Sequence, residues 1–374
     1  MSDNCTIVNV DLGSRSYDIH IGAGLLDTLG QKIRNVSAAK QITIVTDRNV
    51  AQHYSIRAVT SVEAAGFAAK TITIPPGESS KSLAMAQRLY DGLAERKRGR
   101  LDPIVALGGG VVGDLAGFVA ATWMRGAPFI QCPTTTESMI DAGVGGKTAV
   151  NHESGKNLIG AFHQPLAVVM DIETAHTLED RDFRAGLAES VKHALIADGE
   201  FLAWHEAHAA ALLARDPVLL AELVARNCRI KAGVVQADER ETEAIQVGRA
   251  ALNFGHTVGH ALETLSQGRL RHGEAVSLGM LAALRLSSQF TGLAPETKDR
   301  VAALLNSMQL PTSSEDSYDA SSVIDVMGRD KKVVDQRPRF VLLEDIGRPV
   351  WNTTATDTDV QAAINELIGP RPTA

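Results

Sequence analysis

The segment "LNFGHTVGHALE" places His256 and His260 four residues apart, and His272 follows in "RHGEAV". Residues at i and i+4 share one face of a helix. Catalytic zinc-type sites commonly use three protein ligands of the His/His/carboxylate kind and leave a position open for water or substrate. A single histidine on an apolar face is more often a satisfied core or surface residue. Three within 17 residues, beside Asn253 and Glu274, favour a metal. If two histidines bind, the third ligand should be a buried carboxylate. Glu189 in "RAGLAESVKHA" suits that role, because it lies among apolar residues on a helix with Lys192 one turn on. The competing reading of Glu189 is an ordinary i,i+3 surface ion pair. Spacing alone leaves open whether His256 or His260 is the ligand.

A second constellation is "IVALGGGVVGDLAGF", in which Gly108, Gly110 and Gly113 satisfy Gly-x-Gly-x-x-Gly between a strand and a helix. Glycines there let backbone N–H groups approach a pyrophosphate at a helix N-terminus. The plainer alternative is a tight, closely packed turn. A dinucleotide fingerprint also needs an acid about 20 residues downstream to hold the ribose, and that region reads "PFIQCPTTT". Asp47, ending "ITIVTD", is an upstream candidate. It reads equally well as an N-cap before "RNVAQHY". Glu78 and Lys81 in "IPPGESSKS" fit either a ligand loop or a solvated turn with Ser80 or Ser82 capping the next helix. The glycines and amides of "GGKTAVNHESGKN" suit a loop folding over an anion.

These residues need a scaffold, and the 374-residue length suits two domains. Up to about residue 175, β-branched runs ("QITIVTD", "TITIP", "PIVALGG", "PFIQCPT", "LAVVMDI") alternate with amphipathic segments, which predicts a parallel sheet. The N-terminus reads as two further strands. Beyond Arg184 helical patterns take over, predicting a helical bundle. The late strand "RPRFVLLEDIG" either returns to the first lobe or forms a hairpin. The expected fold is an α/β nucleotide-binding domain with a Rossmann-like parallel sheet over 1–180, followed by an all-α metal- and substrate-binding domain over 181–374.

The formal net charge of −7 argues against a global positive field for nucleic acid, yet leaves room for a local basic pocket. Cys5, Cys132 and Cys228 lie far apart, so neither a disulfide framework nor a thiolate metal site is expected. The most membrane-like stretch, "PIVALGGGVVGDLAGFVAATWM", carries Asp114 and five glycines and reads better as strand and packed helix. The cysteine pattern leads to the expectation of a reducing, cytoplasmic setting, and the N-terminus lacks the basic start and apolar block of a secretory signal.

Together, "GGGVVGDLAGFVAATWMRG", "DAGVGGKTAVNHESGKNLIGAFHQP", "RAGLAESVKHALI", "KAGVVQADERE", "LNFGHTVGHALE", "LRHGEAV" and "GRDKK" resemble the 3-dehydroquinate synthase family, from about Asp47 to Gly347. The resemblance implies an NAD- and metal-dependent lyase of the shikimate pathway. Its substrate would be 3-deoxy-D-arabino-heptulosonate 7-phosphate, and its products 3-dehydroquinate and phosphate. It implies Glu189, His256 and His272 as ligands of Zn2+ or Co2+, leaving His260 unligated. It carries Asp47, Glu78, Lys81, Gly109, Gly110, Asp114, Thr134, Thr135, Lys147, Lys156 and Thr177 to the nucleotide. To catalysis it carries His260, Asn253, Lys147, Lys192, Lys231 and Arg249, and to substrate binding Arg125, Asp141, Lys156, Asn157 and Lys331. The many cations match a ligand bearing carboxylate and phosphate. By analogy the protein is a homodimer.

Two departures stand out. The stretch between Lys231 and Arg249 is about four residues longer than the family usually has, and Thr136 and Glu137 replace a customary pair of leucines. Rival readings are a cyclase acting on sedoheptulose 7-phosphate, a metal-dependent polyol dehydrogenase that would release NADH, and a non-catalytic relative. Retained Lys147, Asn253 and "DKK" favour the dehydroquinate reading over the first.

Overall fold

The structure is a computed structural model and describes residues 5–241, 248–314, 316, 318–328, 333–334, 337–352 and 354–368. The chain divides into two compact units, Met1–Glu179 with Pro217–Gln236, and Asp180–Asp216 with Ala237–Ala374.

The first unit begins with β1 (Thr6–Val10), β2 (Tyr17–Gly22), α1 (Leu29–Val36), β3 (Gln41–Asp47) and a helical turn α2 (Arg48–Val50) running on into α3 (Ile56–Ala64). Then come β4 (Ala68–Ile74), α4 (Leu83–Glu95), β5 (Ile104–Gly108), α5 (Gly110–Thr122), β6 (Phe129–Pro133), the hairpin β7 (Lys147–His152) and β8 (Gly155–Phe162), and β9 (Ala167–Asp171). Seven strands form one sheet in the order β1-β2-β9-β6-β5-β3-β4. Only β1 and β2 pair antiparallel; every other pairing is parallel.

Strands covered on both faces read as continuous apolar runs, and β5, β6 and β9 are buried at every residue. One face packs Ile44, Leu107, Ile130 and Val169 against Leu29, Ile33 and Val62 of α1 and α3. On the other, Val45, Ala106 and Phe129 meet Leu89, Leu93, Leu115 and Val119 of α4 and α5.

That second face also recruits a helix from far along the chain. After α6 (Asp180–Ala197) and α7 (Gly199–Leu213) open the second unit, α8 (Pro217–Ala237) belongs to the first. Its Val224, Cys228 and Val235 pack on Ile19, Ile21, Val168 and Met170. The sequence reading put 217–236 with the helical half. The correction follows from the exposed apolar face that β2 and β9 would otherwise leave beyond α5.

The rest of the second unit holds α9 (His256–Ser266), α10 (His272–Phe290), α11 (Glu296–Ser307), α12 (Ala320–Met327), short strands β10 (Val333–Val334) and β11 (Arg337–Pro338), the hairpin β12 (Phe340–Asp345) and β13 (Arg348–Asn352), and α13 (Asp357–Asn365). The late strand thus turns into a hairpin and stays in this unit. Leu343 N–H donates to Ser287 Oγ of α10 at 3.0 Å. Two short hairpins therefore accompany the helices. Helix α10 is buried along most of its length and packs on α6, α9 and β12. Glycines set two of these crossings. A Cβ on Gly279 would lie 1.9 Å from Gly255 O of the chain entering α9, and one on Gly273 would lie 1.8 Å from Ala185 O of α6. Among the described residues no helix is long and apolar enough to cross a membrane.

Candidate functional site

The close crossings of α6, α9 and α10 decide what the histidines can do. His256 and His272 are the first residues of α9 and α10. Both Nε2 atoms face the same carboxylate oxygen, Glu189 Oε1 of α6, at 3.5 Å from His256 and 3.2 Å from His272. Ligands about 2.1 Å from a tetrahedral ion stand about 3.4 Å apart, so this donor set fits a divalent metal.

The other ring nitrogens agree with that reading. His256 Nδ1 lies 3.2 Å from Phe254 O, and His272 Nδ1 lies 2.9 Å from Glu263 Oε2. A carbonyl or carboxylate opposite Nδ1 requires the proton there, which leaves the Nε2 lone pair to bind. Burial pushes the His256 pKa well below the usual histidine value, against the pull of Glu189, so this ring is neutral as a ligand must be.

His260 sits one turn along α9, its ring centroid 4.9 Å from that of His256 and 5.7 Å from that of His272. The three histidines also bring one nitrogen each within 4.8 Å of one another, a looser set than the Glu189-centred one. Glu189 does pair with Lys192 at i,i+3, but both side chains are buried, so the pair is no surface feature. Glu274 turns away to Arg181 Nε, 2.6 Å distant, and caps α10. Arg249, 1% exposed, donates to Glu239 O, and Asn253 Nδ2 lies 3.4 Å from Glu241 Oε1.

In the first unit, β4 lies to one side of β3 and β5 to the other, and ligands bind where strand order reverses, outside the carboxyl ends. Asp47 ends β3, Glu78 and Lys81 follow β4, Gly109 and Gly110 follow β5, Thr134 and Thr135 follow β6, and Thr177 follows β9. This edge accounts for an acid upstream of the glycines, since β3 precedes β5 in the chain yet neighbours it in the sheet.

The glycines are not equivalent. A Cβ on Gly108 would meet Val112 at 2.6 Å, and one on Gly113 would meet Gln131 at 2.6 Å, so packing explains both. Among the described residues, one on Gly110 would meet only Ala142, at 3.5 Å. Packing does not demand glycine there, whereas a ligand against the backbone would. Helix α5 begins at Gly110 with no side-chain cap, and its first N–H groups suit an anion. Among the described residues the buried Thr134 Oγ1 has no hydrogen-bond partner, an orphan that a bound nucleotide would satisfy.

Asp47 Oδ1 accepts from Asn49 N at 2.8 Å and Val50 N at 3.0 Å, so it caps α2. Lys81 is ion-paired with Asp114, whose carboxyl burial pushes up against that pull. Glu78 Oε1 accepts from Asn151 Nδ2 at 2.7 Å, and Thr177 Oγ1 lies 2.7 Å from Tyr54 OH. Thr135 Oγ1 accepts from Ser138 N at 3.2 Å. Thr136 is buried just beyond it, and nothing in the structure explains the Thr136–Glu137 pair.

Lys231 of α8 pairs with Asp141 Oδ1 at 2.6 Å. Lys147, Lys156 and Asn157 are exposed on the β7–β8 hairpin, where Asn157 N–H donates to Asn151 Oδ1 at 3.0 Å. Arg125 is exposed in the turn after α5. The 13 residues of α5, at about 1.5 Å each, separate it from the glycine turn. Lys331 lies outside the described residues.

Sequence reasoning passed over Glu263, Tyr54 and Asn151. Only Glu263 left a signal, as the i+7 position on the face of α9 that starts with His256 and His260.

Residues 71–185 match the family model "3-dehydroquinate synthase N-terminal", and residues 186–333 match "3-dehydroquinate synthase C-terminal". A 3-dehydroquinate synthase of Desulforamulus reducens is 44% identical over 360 residues, covering 96% of this chain and 99% of its own. Among solved structures, 2-deoxy-scyllo-inosose synthase complexed with carbaglucose-6-phosphate, NAD+ and Co2+ superposes with a TM-score of 0.88 at 24% identity, over 96% of this chain and 100% of its own. The 2-epi-5-epi-valiolone synthase of Streptomyces hygroscopicus subsp. jinggangensis 5008, with NAD+ and Zn2+ bound, gives 0.86 at 26% identity, over 96% and 98%. With family models spanning 71–333 and such identity along almost the whole chain, this protein belongs to the 3-dehydroquinate synthase family.

Proposed function

We propose that this chain is a 3-dehydroquinate synthase in action as in family, converting 3-deoxy-D-arabino-heptulosonate 7-phosphate to 3-dehydroquinate and phosphate. The observation that carries the reading at the site is the convergence of two histidine Nε2 atoms on Glu189 Oε1 at 3.2 and 3.5 Å. Glu189, His256 and His272 would hold the divalent ion, Zn2+ or Co2+. The N-terminus of α5 at Gly110, the Thr134 hydroxyl and the residues ending β3, β4, β6 and β9 would hold NAD+. When bound, NAD+ supplies a hydride acceptor and the ion a Lewis acid for the substrate's hydroxyls.

The chain's own groups bind an anionic sugar, steer one proton and neutralise a leaving phosphate. His260, unligated on the face of α9 beside the metal set, would accept and return the proton of the carbon 5 hydroxyl, with Asn253 as its neighbour. Lys192, Lys231 and Arg249 supply buried positive charge for a carboxylate or phosphate. Their partners are Glu189, Asp141 and the Glu239 carbonyl. Lys147, Lys156 and Asn157 on the β7–β8 hairpin supply donors for the phosphate. Arg125 and Lys331 join the substrate set on the family pattern alone. The departing phosphate can itself take the carbon 6 proton.

Three free cysteines agree with a reducing, cytoplasmic setting, and homodimerisation is the assembly we assign by analogy. The test is catalytic use of the cofactor. With NAD+ well below substrate and a divalent ion present, phosphate release should exceed the NAD+ supplied with no net NADH. Stoichiometric NADH would instead mark a polyol dehydrogenase.

A further inference from the structure

His256 and His272 are held in different ways. His256 is buried, and its Nδ1 faces a main-chain carbonyl, Phe254 O, two residues away. His272 keeps 24% of its side chain exposed, and its Nδ1 faces the carboxylate of Glu263, nine residues back on the other helix. Packing and local backbone fix the first ring. For the second, a side-chain carboxylate stands opposite Nδ1.

We propose that Glu263 is a positioning residue for the metal centre: its carboxylate accepts the Nδ1–H of His272, fixes that tautomer and turns Nε2 toward Glu189 Oε1. The inference rests on the reading of Glu189, His256 and His272 as ligands. The hydrogen bond also spans the turn 267–271, tying the last turn of α9 to the first residue of α10. Helix periodicity makes this possible, because His256, His260 and Glu263 occupy i, i+4 and i+7. One face of α9 therefore presents a ligand, a proton carrier and the residue that orients the ligand on the next helix. Carboxylates behind ligating histidines raise the basicity of the ring, and removing such a partner typically weakens metal binding by about 10–100-fold.

The test compares Co2+ affinity, by chelator competition, in the full-length wild type, Glu263→Ala, Glu263→Gln and His272→Ala. Glu263→Ala should weaken Co2+ binding by about 10–100-fold, with the melting temperature of the metal-free protein little changed. Glu263→Gln keeps an acceptor without the charge and should fall between it and wild type. The isosteric glutamine also serves as the readout if the alanine variant does not fold. Co2+ binding within twofold of wild type in the foldable Glu263 variants, with His272→Ala defective, would overturn the positioning role alone. Unchanged binding in His272→Ala would overturn the ligand assignment beneath it. If the weakening in the Glu263 variants is matched by a loss of metal-free stability, Glu263 serves the helix junction and not the ring.

Discussion

Gly279→Ala should dismantle the metal centre from a position that touches no ligand. The new Cβ would lie 1.9 Å from Gly255 O and 2.8 Å from Gly259 N. Moving that first contact out to 3.0 Å, the shortest separation real Cβ atoms show, needs 1.1 Å of displacement between α9 and α10. Sites of this kind tolerate about 0.5 Å. His256 travels with α9, so its 3.5 Å distance to Glu189 Oε1, already at the roughly 3.4 Å that ligands of a shared tetrahedral ion keep, would change by more than that tolerance. Overpacking of a tight core costs about 1–3 kcal/mol and occasionally more, and here the new Cβ meets backbone, which yields less readily than a side chain, so stability should fall together with metal binding. We expect affinity for Zn2+ or Co2+ to fall by more than the roughly 10–100-fold of an outer-shell change, measured by chelator competition beside thermal unfolding. Gly233→Ala in α8 is the control. Among the described residues nothing lies within 4 Å of its Cβ, and a helical Gly-to-Ala change gains up to about 1 kcal/mol. Wild-type metal stoichiometry and unfolding in Gly279→Ala would refute the argument that this crossing sets the ligand spacing.

Glu189→Ala and His272→Ala should lose bound metal together with activity, and full metal occupancy in either would undo the ligand assignment. His260→Ala should keep its metal yet lose about 100-fold or more in turnover; near-normal turnover would remove it from proton transfer. Gly110→Ala, whose Cβ meets, among the described residues, only Ala142 at 3.5 Å, should unfold like wild type but bind NAD+ at least about 10-fold more weakly, because a methyl group occupies the approach to the α5 N-terminus. Unchanged NAD+ affinity by calorimetry would mean that the nucleotide does not use that backbone.

The parallel sheet was legible because strands buried on both faces read as continuous apolar runs, as "PIVALGG" and "LAVVMDI" do. The location of α8 was not, since amphipathicity says that a helix needs a partner and not which one. Only the two-faced sheet, with β2 and β9 beyond the reach of α5, supplies that answer. At the metal centre, residue types and spacing pointed to the histidines, and the glutamate on α6 followed from its apolar neighbours. Choosing between His256 and His260 needed the family pattern, and the shared Glu189 oxygen supports the same choice by geometry. Glu263 left only its i+7 place as a signal, because an acid late on an amphipathic helix looks like a solvated charge until the following helix brings His272 within 2.9 Å. For Asp47 the two readings need not compete, because its carboxylate caps α2 with Oδ1 and also ends β3 at the edge proposed for the nucleotide.

The identity of the substrate is tested most directly by assaying two sugar phosphates side by side. Metal-loaded protein with catalytic NAD+ is given 3-deoxy-D-arabino-heptulosonate 7-phosphate or sedoheptulose 7-phosphate, and phosphate release is followed for each. Sustained release from the heptulosonate, with 3-dehydroquinate as the carbon product, is the predicted result. Turnover of the sedoheptulose compound alone would contradict it.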